Sequence, residues 1–326
     1  MVDDLRLLDF YAYLKRQFVK SHAVIIMYHR VSPVKDTWSN VQTLSPDRFQ
    51  GDIEFFRQRY EILSLDRLGS YFREKKPLPP RSVVITFDDG YKDNYLYAYP
   101  ILKKYGVPAT IFLVTGQIGT DSLFWWDRVG YAIQNTRKKQ LQLNGLGDYS
   151  LESDLDKSRA RDAIIASLKS TPEERKSSLL QNLMGVCDVE IPKGVGSKLT
   201  LAWSEVREMM ENGISFGAHT RTHPILTNVS LEEAALEICQ SKRDIELNLG
   251  KSPTFFSYPS GKWSADVAKK VEEAGFVGAV QEGFRWVTAK SNLYTLSRIG
   301  MSPDPDISRA LLSGFWGDLH GNVGQY

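Results

Sequence analysis

Val83-Val84-Ile85-Thr86-Phe87-Asp88-Asp89-Gly90 passes from five apolar or β-branched positions directly into two adjacent carboxylates and a glycine. An unbroken run of this kind predicts a strand buried on both faces, as in a parallel sheet, ending in a polar loop. The same grammar returns at Ile214-Ser215-Phe216-Gly217-Ala218, whose predicted strand opens onto His219-Thr220-Arg221-Thr222-His223. Around these two anchors, strands are expected at Ala23–Tyr28, Ala109–Val114, and near Phe255, Phe276 and Leu296. Helices are expected from Ser45-Pro46 onward with Phe49, Ile53 and Phe56 on one face, through Lys104, and over Ser204–Asn212, Leu231–Leu249 and Ser264–Ala274. Gly106-Val107-Pro108 punctuates one helix-to-strand step. Strands alternating with helices call for a parallel α/β architecture.

The alternation lapses between Gly119 and Leu201, a charge-rich stretch with helical character at Ser158–Leu168 and Pro172–Leu183. Its ends return to the same alternation, so it reads as a helical insertion. Upstream, Leu5, Leu8, Tyr11, Leu14 and Phe18 share one helical face, predicting an amphipathic helix that docks on the body. The expected layout is this helix over residues 1–22 and one domain over 23–326, with the insertion at about 120–200.

With 326 residues, the chain can bury a substantial core. Lys+Arg 41 against Asp+Glu 39 leaves no electrostatic case for nucleic acid or an anionic membrane surface. Fifteen tyrosines and seven tryptophans suit sugar stacking and a large core alike. Cys187 and Cys239 make no disulfide framework and match no zinc spacing. Acid follows Met1 where a secretory signal needs base, and no stretch approaches a transmembrane span. The expectation on the sequence given is a cytoplasmic protein, or an extracytoplasmic one if a signal was removed. Oligomeric state is left open.

The chemistry gathers at the two anchors. One carboxylate and two imidazoles make a three-ligand site for a divalent ion with a position open to water, which is the pattern of a catalytic ion. The second carboxylate is then free to move a proton. Only five histidines are present, so chance alone yields roughly 0.08 His-x-x-x-His pairs in a chain of this length. In a barrel of parallel strands, functional groups collect at the carboxyl ends, where Asp88, Asp89, His219 and His223 are all expected.

Thr86-Phe87-Asp88-Asp89-Gly90, His219-Thr220-Arg221-Thr222-His223 and, more loosely, Phe256-Ser257-Tyr258-Pro259-Ser260-Gly261 resemble the motifs of the polysaccharide deacetylases. These form carbohydrate esterase family four, also called the NodB homology domain. The resemblance covers roughly Ala23 to Met301. It implies a distorted (β/α) barrel that removes acetyl groups from a glycan with Zn²⁺ or another divalent transition metal (Co²⁺, Ni²⁺, Mn²⁺). It also implies Asp89, His219 and His223 as metal ligands and Asp88 as general base. N-acetyl removal from an amino-sugar polymer or oligomer is the leading expectation. O-acetyl ester hydrolysis and a glycan-binding relative without turnover are the alternatives.

The sequence departs from the family pattern twice. Ser257 and Ser260 stand where relatives carry Arg and Tyr, so Asp88 lacks its usual guanidinium partner, and Arg298, expected at a strand end, is the candidate substitute. The late strand also lacks the usual Leu-x-His. His29, closing the first strand in Tyr28-His29-Arg30-Val31, is similar to an opening found in some exopolysaccharide deacetylases. In a closed barrel the first and last strands are neighbours, so His29 is assigned as general acid, with a near-neutral intrinsic pKa that suits the task. His320 in the Gly-rich tail ranks second. Tyr258 and Ser260 are expected on the substrate, the Ser260 N–H at the oxyanion. Trp125-Trp126-Asp127 and Trp263 are expected near the mouth as sugar-stacking candidates, and His22 carries no motif.

Overall fold

The computed structural model describes residues 2–34 and 36–320. Seven parallel strands form its centre: β1 (Ala23–Tyr28), β2 (Ser82–Phe87), β3 (Thr110–Leu113), β4 (Ser215–Ala218), β5 (Phe255–Ser257), β6 (Gly278–Glu282) and β7 (Leu296–Gly300). Neighbours run β1-β7-β6-β5-β4-β3-β2, and β2 pairs back onto β1 along its whole length, from Ala23↔Ser82 to Tyr28↔Phe87. The sheet is therefore a closed (β/α) barrel. Two features distort it. A short strand, Glu61–Leu63, occupies the amino-end half of the second edge of β2, leaving β3 only Thr86 and Phe87. The β4–β5 seam is held by the single pair Phe256↔Ala218.

The two-residue period of a strand decides what faces inward. Val24, Ile26 and Tyr28 join Val83, Ile85 and Phe87 in the outer layer, packed on Phe49, Ile53 and Phe56 of the helix Pro46–Arg59. Ser45 caps that helix and Pro46 takes its first position, as the sequence predicts. Ala23, Ile25, Val84, Phe112, Phe255, Val280 and Leu296 share a second cluster that fills the barrel interior. Continuing the inward parity toward the carboxyl ends places His29, Asp88, His219, Ser257 and Arg298 above this apolar floor.

Residues 123–199 build a separate cluster, joined only by Tyr91 and Val114 from the barrel side among its buried members, with Ile133, Ile164, Leu168, Leu183 and Cys187 buried together. The helices Asp154–Lys169 and Glu173–Cys187 lie where helical character is expected. A further helix, Trp125–Asn135, and a hairpin of Gln140–Leu143 with Gly147–Ser150 are additions. The helix begins without a capping side chain and the hairpin strands are four residues each, so neither announces itself in sequence. The insertion is fastened at its necks: Gly119 N–H donates to Leu201 O (2.8 Å) and Leu201 N–H to Gly90 O (3.0 Å). Asp121 receives the N–H groups of Gly194 and Ser197 at 2.7 and 3.0 Å.

The N-terminal helix Val2–Phe18 docks through part of the expected face, Leu8 and Tyr11, but rotated toward Ala12 and Lys15. Ala12 is buried, Leu8 and Tyr11 are half-buried, and Leu14 and Phe18 are exposed (41% and 87%). Polar contacts set this rotation. Lys15 donates to Gly314 O at 3.0 Å and pairs with Asp318 at 2.8 Å, while Tyr11 meets the Phe315 ring edge-on. The Leu5 side chain lies outside the described residues. Among them, no helix is long and apolar enough to cross a membrane.

Candidate active site

At the carboxyl ends of the strands lies a cavity of about 430 Å³ whose wall includes His29, Asp88, Asp89, His219, His223 and Arg298. Asp88 is gripped in a bidentate pair, Arg298 Nη1 to Oδ1 at 2.7 Å and Nη2 to Oδ2 at 2.6 Å. The guanidinium also donates to Ser257 Oγ (2.8 Å) and Thr86 Oγ1 (3.2 Å) and lies over the Phe112 ring. The structure thus brings Arg298 to Asp88 and seats Ser257 in the same network. Arg298 is not at a strand end, however. It sits mid-strand in β7, in register with Ile25 and Glu282, and its length carries the charge upward inside the barrel. Burial alone would raise the pKa of Asp88, but Arg298, aided by His219, outweighs burial and holds the carboxyl well below its ordinary range.

Asp89 is buried beside Asp88, and among the described residues no donor hydrogen-bonds to it. Burial, Asp88 and Asp127 all push its pKa up. His219 Nε2 and His223 Nε2 approach its Oδ1 at 3.6 and 3.7 Å, and one ligand atom from each residue lies within 4.8 Å of the others. Ligands arranged tetrahedrally at roughly 2.1 Å from a zinc ion stand about 3.4 Å apart, so the cluster is close to coordinating geometry. The protonation states fit as well. His219 Nδ1 faces Ser257 O at 2.8 Å; a carbonyl only accepts, so Nδ1 carries the proton and Nε2 presents a lone pair. Burial lowers the pKa of both imidazoles, with His219 adding to the effect on His223. Two neutral histidines beside an uncompensated buried carboxylate suit a divalent cation.

The local backbone is shaped for this arrangement. Asp89, Thr220, His223 and Ser260 all have positive φ (73°, 64°, 64° and 55°), a conformation that costs non-glycine residues energy and clusters at functional sites. Thr220 Oγ1 accepts the His223 N–H at 3.0 Å. Glu237, on the helix Leu231–Leu249, accepts the N–H groups of Arg221 (2.7 Å) and Thr222 (2.9 Å), clamping the histidine loop from outside. Gly116 donates to Arg221 O at 2.8 Å, and a Cβ there would stand 2.6 Å from that oxygen.

His29 follows β1 directly, beside Asp88 in register, and is half-buried in the cavity wall. Asn94 Nδ2 donates to its carbonyl at 2.9 Å. Burial lowers its pKa against the opposing fields of Asp88 and Glu282. Ser260 and Trp125 also line the cavity.

Two candidates are not brought there. Tyr258 has the outward parity of Phe256; it is buried in the outer cluster and its hydroxyl donates to Tyr294 O at 3.0 Å. Trp263 packs against that same outer cluster. His22 stacks on Trp286 at 4.1 Å and is structural. The His320 side chain lies outside the described residues. Lys169, Glu282 and Gln42 line the cavity without having been expected. Glu282 closes β6, so the rule of carboxyl ends points to it, whereas Lys169 ends an insertion helix and carries no motif.

The family described as polysaccharide deacetylase has a model that matches residues 75–279 of this chain. The chain belongs to the polysaccharide deacetylase family. A Bacillus subtilis protein named as a polysaccharide deacetylase, YxkH, is 23% identical over 280 residues, covering 86% of this chain and 71% of that one. The poly-beta-1,6-N-acetyl-D-glucosamine N-deacetylase of Staphylococcus aureus is 29% identical over 147 residues, 41% of this chain and 49% of its own. Among solved structures, the Streptococcus pyogenes deacetylase PplD in complex with acetate superposes with a TM-score of 0.60 at 21% identity, covering 90% of this chain and 98% of that one. IcaB from Ammonifex degensii gives 0.60 at 16% identity, covering 90% and 97%. Both share the family's fold, the distorted barrel described above.

Proposed function

We propose that this member of the family is a metal-dependent hydrolase that removes N-acetyl groups from an amino-sugar polysaccharide or oligosaccharide. The observation that carries the reading is the convergence of Asp89, His219 and His223 beside the Asp88–Arg298 pair in one cavity. The N-deacetylase name of the S. aureus relative supports an amide over an ester substrate. Asp89, His219 and His223 would hold a divalent ion such as Zn²⁺, which would supply Lewis acidity to the acetyl carbonyl and lower the pKa of water. Arg298 keeps Asp88 ionised and fixed in direction, so a carboxylate is always ready to accept a proton from the attacking water. Trp125 offers an aromatic wall for a sugar ring. Ser260 lines the cavity, and its backbone N–H would meet the developing oxyanion. His29 delivers a proton to the departing nitrogen.

A second assignment of the proton steps is favoured by one specific pair of facts. Both oxygens of Asp88 are occupied by Arg298, while burial lowers the pKa of His29 and so favours its neutral form, against the fields of Asp88 and Glu282. On that assignment His29 takes the proton from water and itself passes it to nitrogen, with Asp88 acting electrostatically.

Acetate release from N-acetylated glucosamine oligomers tests the function. Protein stripped of metal with a chelator is expected to lose release and regain it with Zn²⁺ or Co²⁺. Full activity in demonstrably metal-free protein would remove the metal mechanism.

A further inference from the structure

His219 and His223 are held in different ways. The ring of His219 is fixed by its bond to Ser257 O, whereas His223 Nδ1 is buried and, among the described residues, no other residue hydrogen-bonds to it. No neighbouring residue's hydrogen bond orients the His223 ring, and Trp126 packs directly against it: the two rings meet edge to face, centroids 4.6 Å apart at 66°. Phe124 stacks on Trp126 at 4.6 Å and 6°.

A hydrogen-bond chain then fixes Trp126. An indole N–H only donates, so Trp126 Nε1 at 2.8 Å makes the Tyr91 oxygen an acceptor. Tyr91 must direct its own proton onward, and Asp127 Oδ2 lies 2.9 Å away. Ser39 Oγ approaches the other Asp127 oxygen at 3.4 Å. Tyr91 and Asp127 are fully buried, and the Arg30 guanidinium lies over the Tyr91 ring at 4.8 Å. Trp126 and Asp127 open a helix of the insertion, and Tyr91 follows the ligand Asp89 by two residues.

We propose that Tyr91 and Asp127 are positioning residues for the metal centre, acting through Trp126 to hold His223 in its coordinating orientation. The insertion is on this account a fixed wall of the metal site. The inference rests on the metal reading above.

The test is Co²⁺ titration of the metal-free full-length chain, with affinity measured by chelator competition and geometry by the visible absorption bands. Wild type is expected to bind. Tyr91→Phe keeps the ring but strands the indole N–H, and is expected to weaken Co²⁺ about ten-fold or more and to alter the absorption bands. Asp127→Leu is expected to behave likewise, while Asp127→Asn retains an acceptor and stays within a few-fold of wild type. Should Tyr91→Phe not fold, Trp126→Phe carries the same comparison. Wild-type affinity and spectrum in Tyr91→Phe and Asp127→Leu overturn the inference and leave the metal reading standing. Absence of Co²⁺ binding in wild type overturns both.

Discussion

At the scale of single residues, the pair Asp88–Arg298 governs both chemistry and stability. Asp88 has a folded pKa below its unfolded value, so its contribution to stability is present above about pH 4 and fades as pH falls through the lowered folded value. In Arg298→Met the guanidinium no longer opposes burial, and the folded pKa of Asp88 moves up. The folded variant then binds a proton more readily than its unfolded chain, so its deficit grows as pH rises. In the presence of chelator we expect a loss of about 3–5 kcal/mol at pH 8, the cost of leaving a buried charge unpaired, and a smaller loss at pH 5. Urea unfolding at both values measures it, and equal losses would mean that Asp88 does not depend on Arg298 for its charge. His29 is tested by substrate choice. If it serves as acid alone, His29→Ala slows amide substrates far more than activated esters, whose leaving group needs no proton. Equal loss on both transfers the base role to His29 as well.

At the scale of elements, what was legible in the sequence followed from periodicity and position. Val83–Phe87 and Ala23–Tyr28 are apolar or β-branched at every position, and both lie in strands buried on both faces. The helix Leu231–Leu249 spans the expected residues, with Ser230 capping its start and Gly250 its end. Motif position within these elements placed Asp88, Asp89, His219, His223 and His29 at one mouth. What stayed hidden depends on side-chain direction and on distant packing. Tyr258 and Ser257 are adjacent in sequence, yet period-2 alternation sends one to the outer cluster and the other to the site. Arg298 reads as a strand end because the sequence shows the strand only as Thr295-Leu296-Ser297, whereas it runs on to Gly300; a buried mid-strand arginine makes sense only once its carboxylate partner is in view. The N-terminal helix is rotated from its expected face for a related reason: Leu8 and Tyr11 pack as expected, but hydrophobic periodicity cannot foresee that Lys15 finds Gly314 and Asp318 across nearly the whole chain.

At the scale of the whole molecule, the candidate ligands come from two strands of the barrel wall that are not direct neighbours. Asp89 follows β2 and the histidines follow β4, with β3 between them and the insertion packed against His223 through Trp126. An ion bound there would tie segments 130 residues apart in the chain, and the unfolded chain offers no such preformed set. Binding must then stabilise the fold by mass action, about 2.7 kcal/mol when free metal stands at 100 times its dissociation constant. We therefore expect the thermal midpoint of the metal-free protein to rise by several degrees on adding Zn²⁺ or Co²⁺. In Asp89→Ala the gain should vanish, although the metal-free midpoint should not fall, because Asp89 is a buried carboxylate held without a hydrogen-bond donor. Differential scanning calorimetry with and without chelator reads both effects. A metal-independent midpoint in wild type, or an undiminished gain in Asp89→Ala, would show that the three side chains do not act together on one ion.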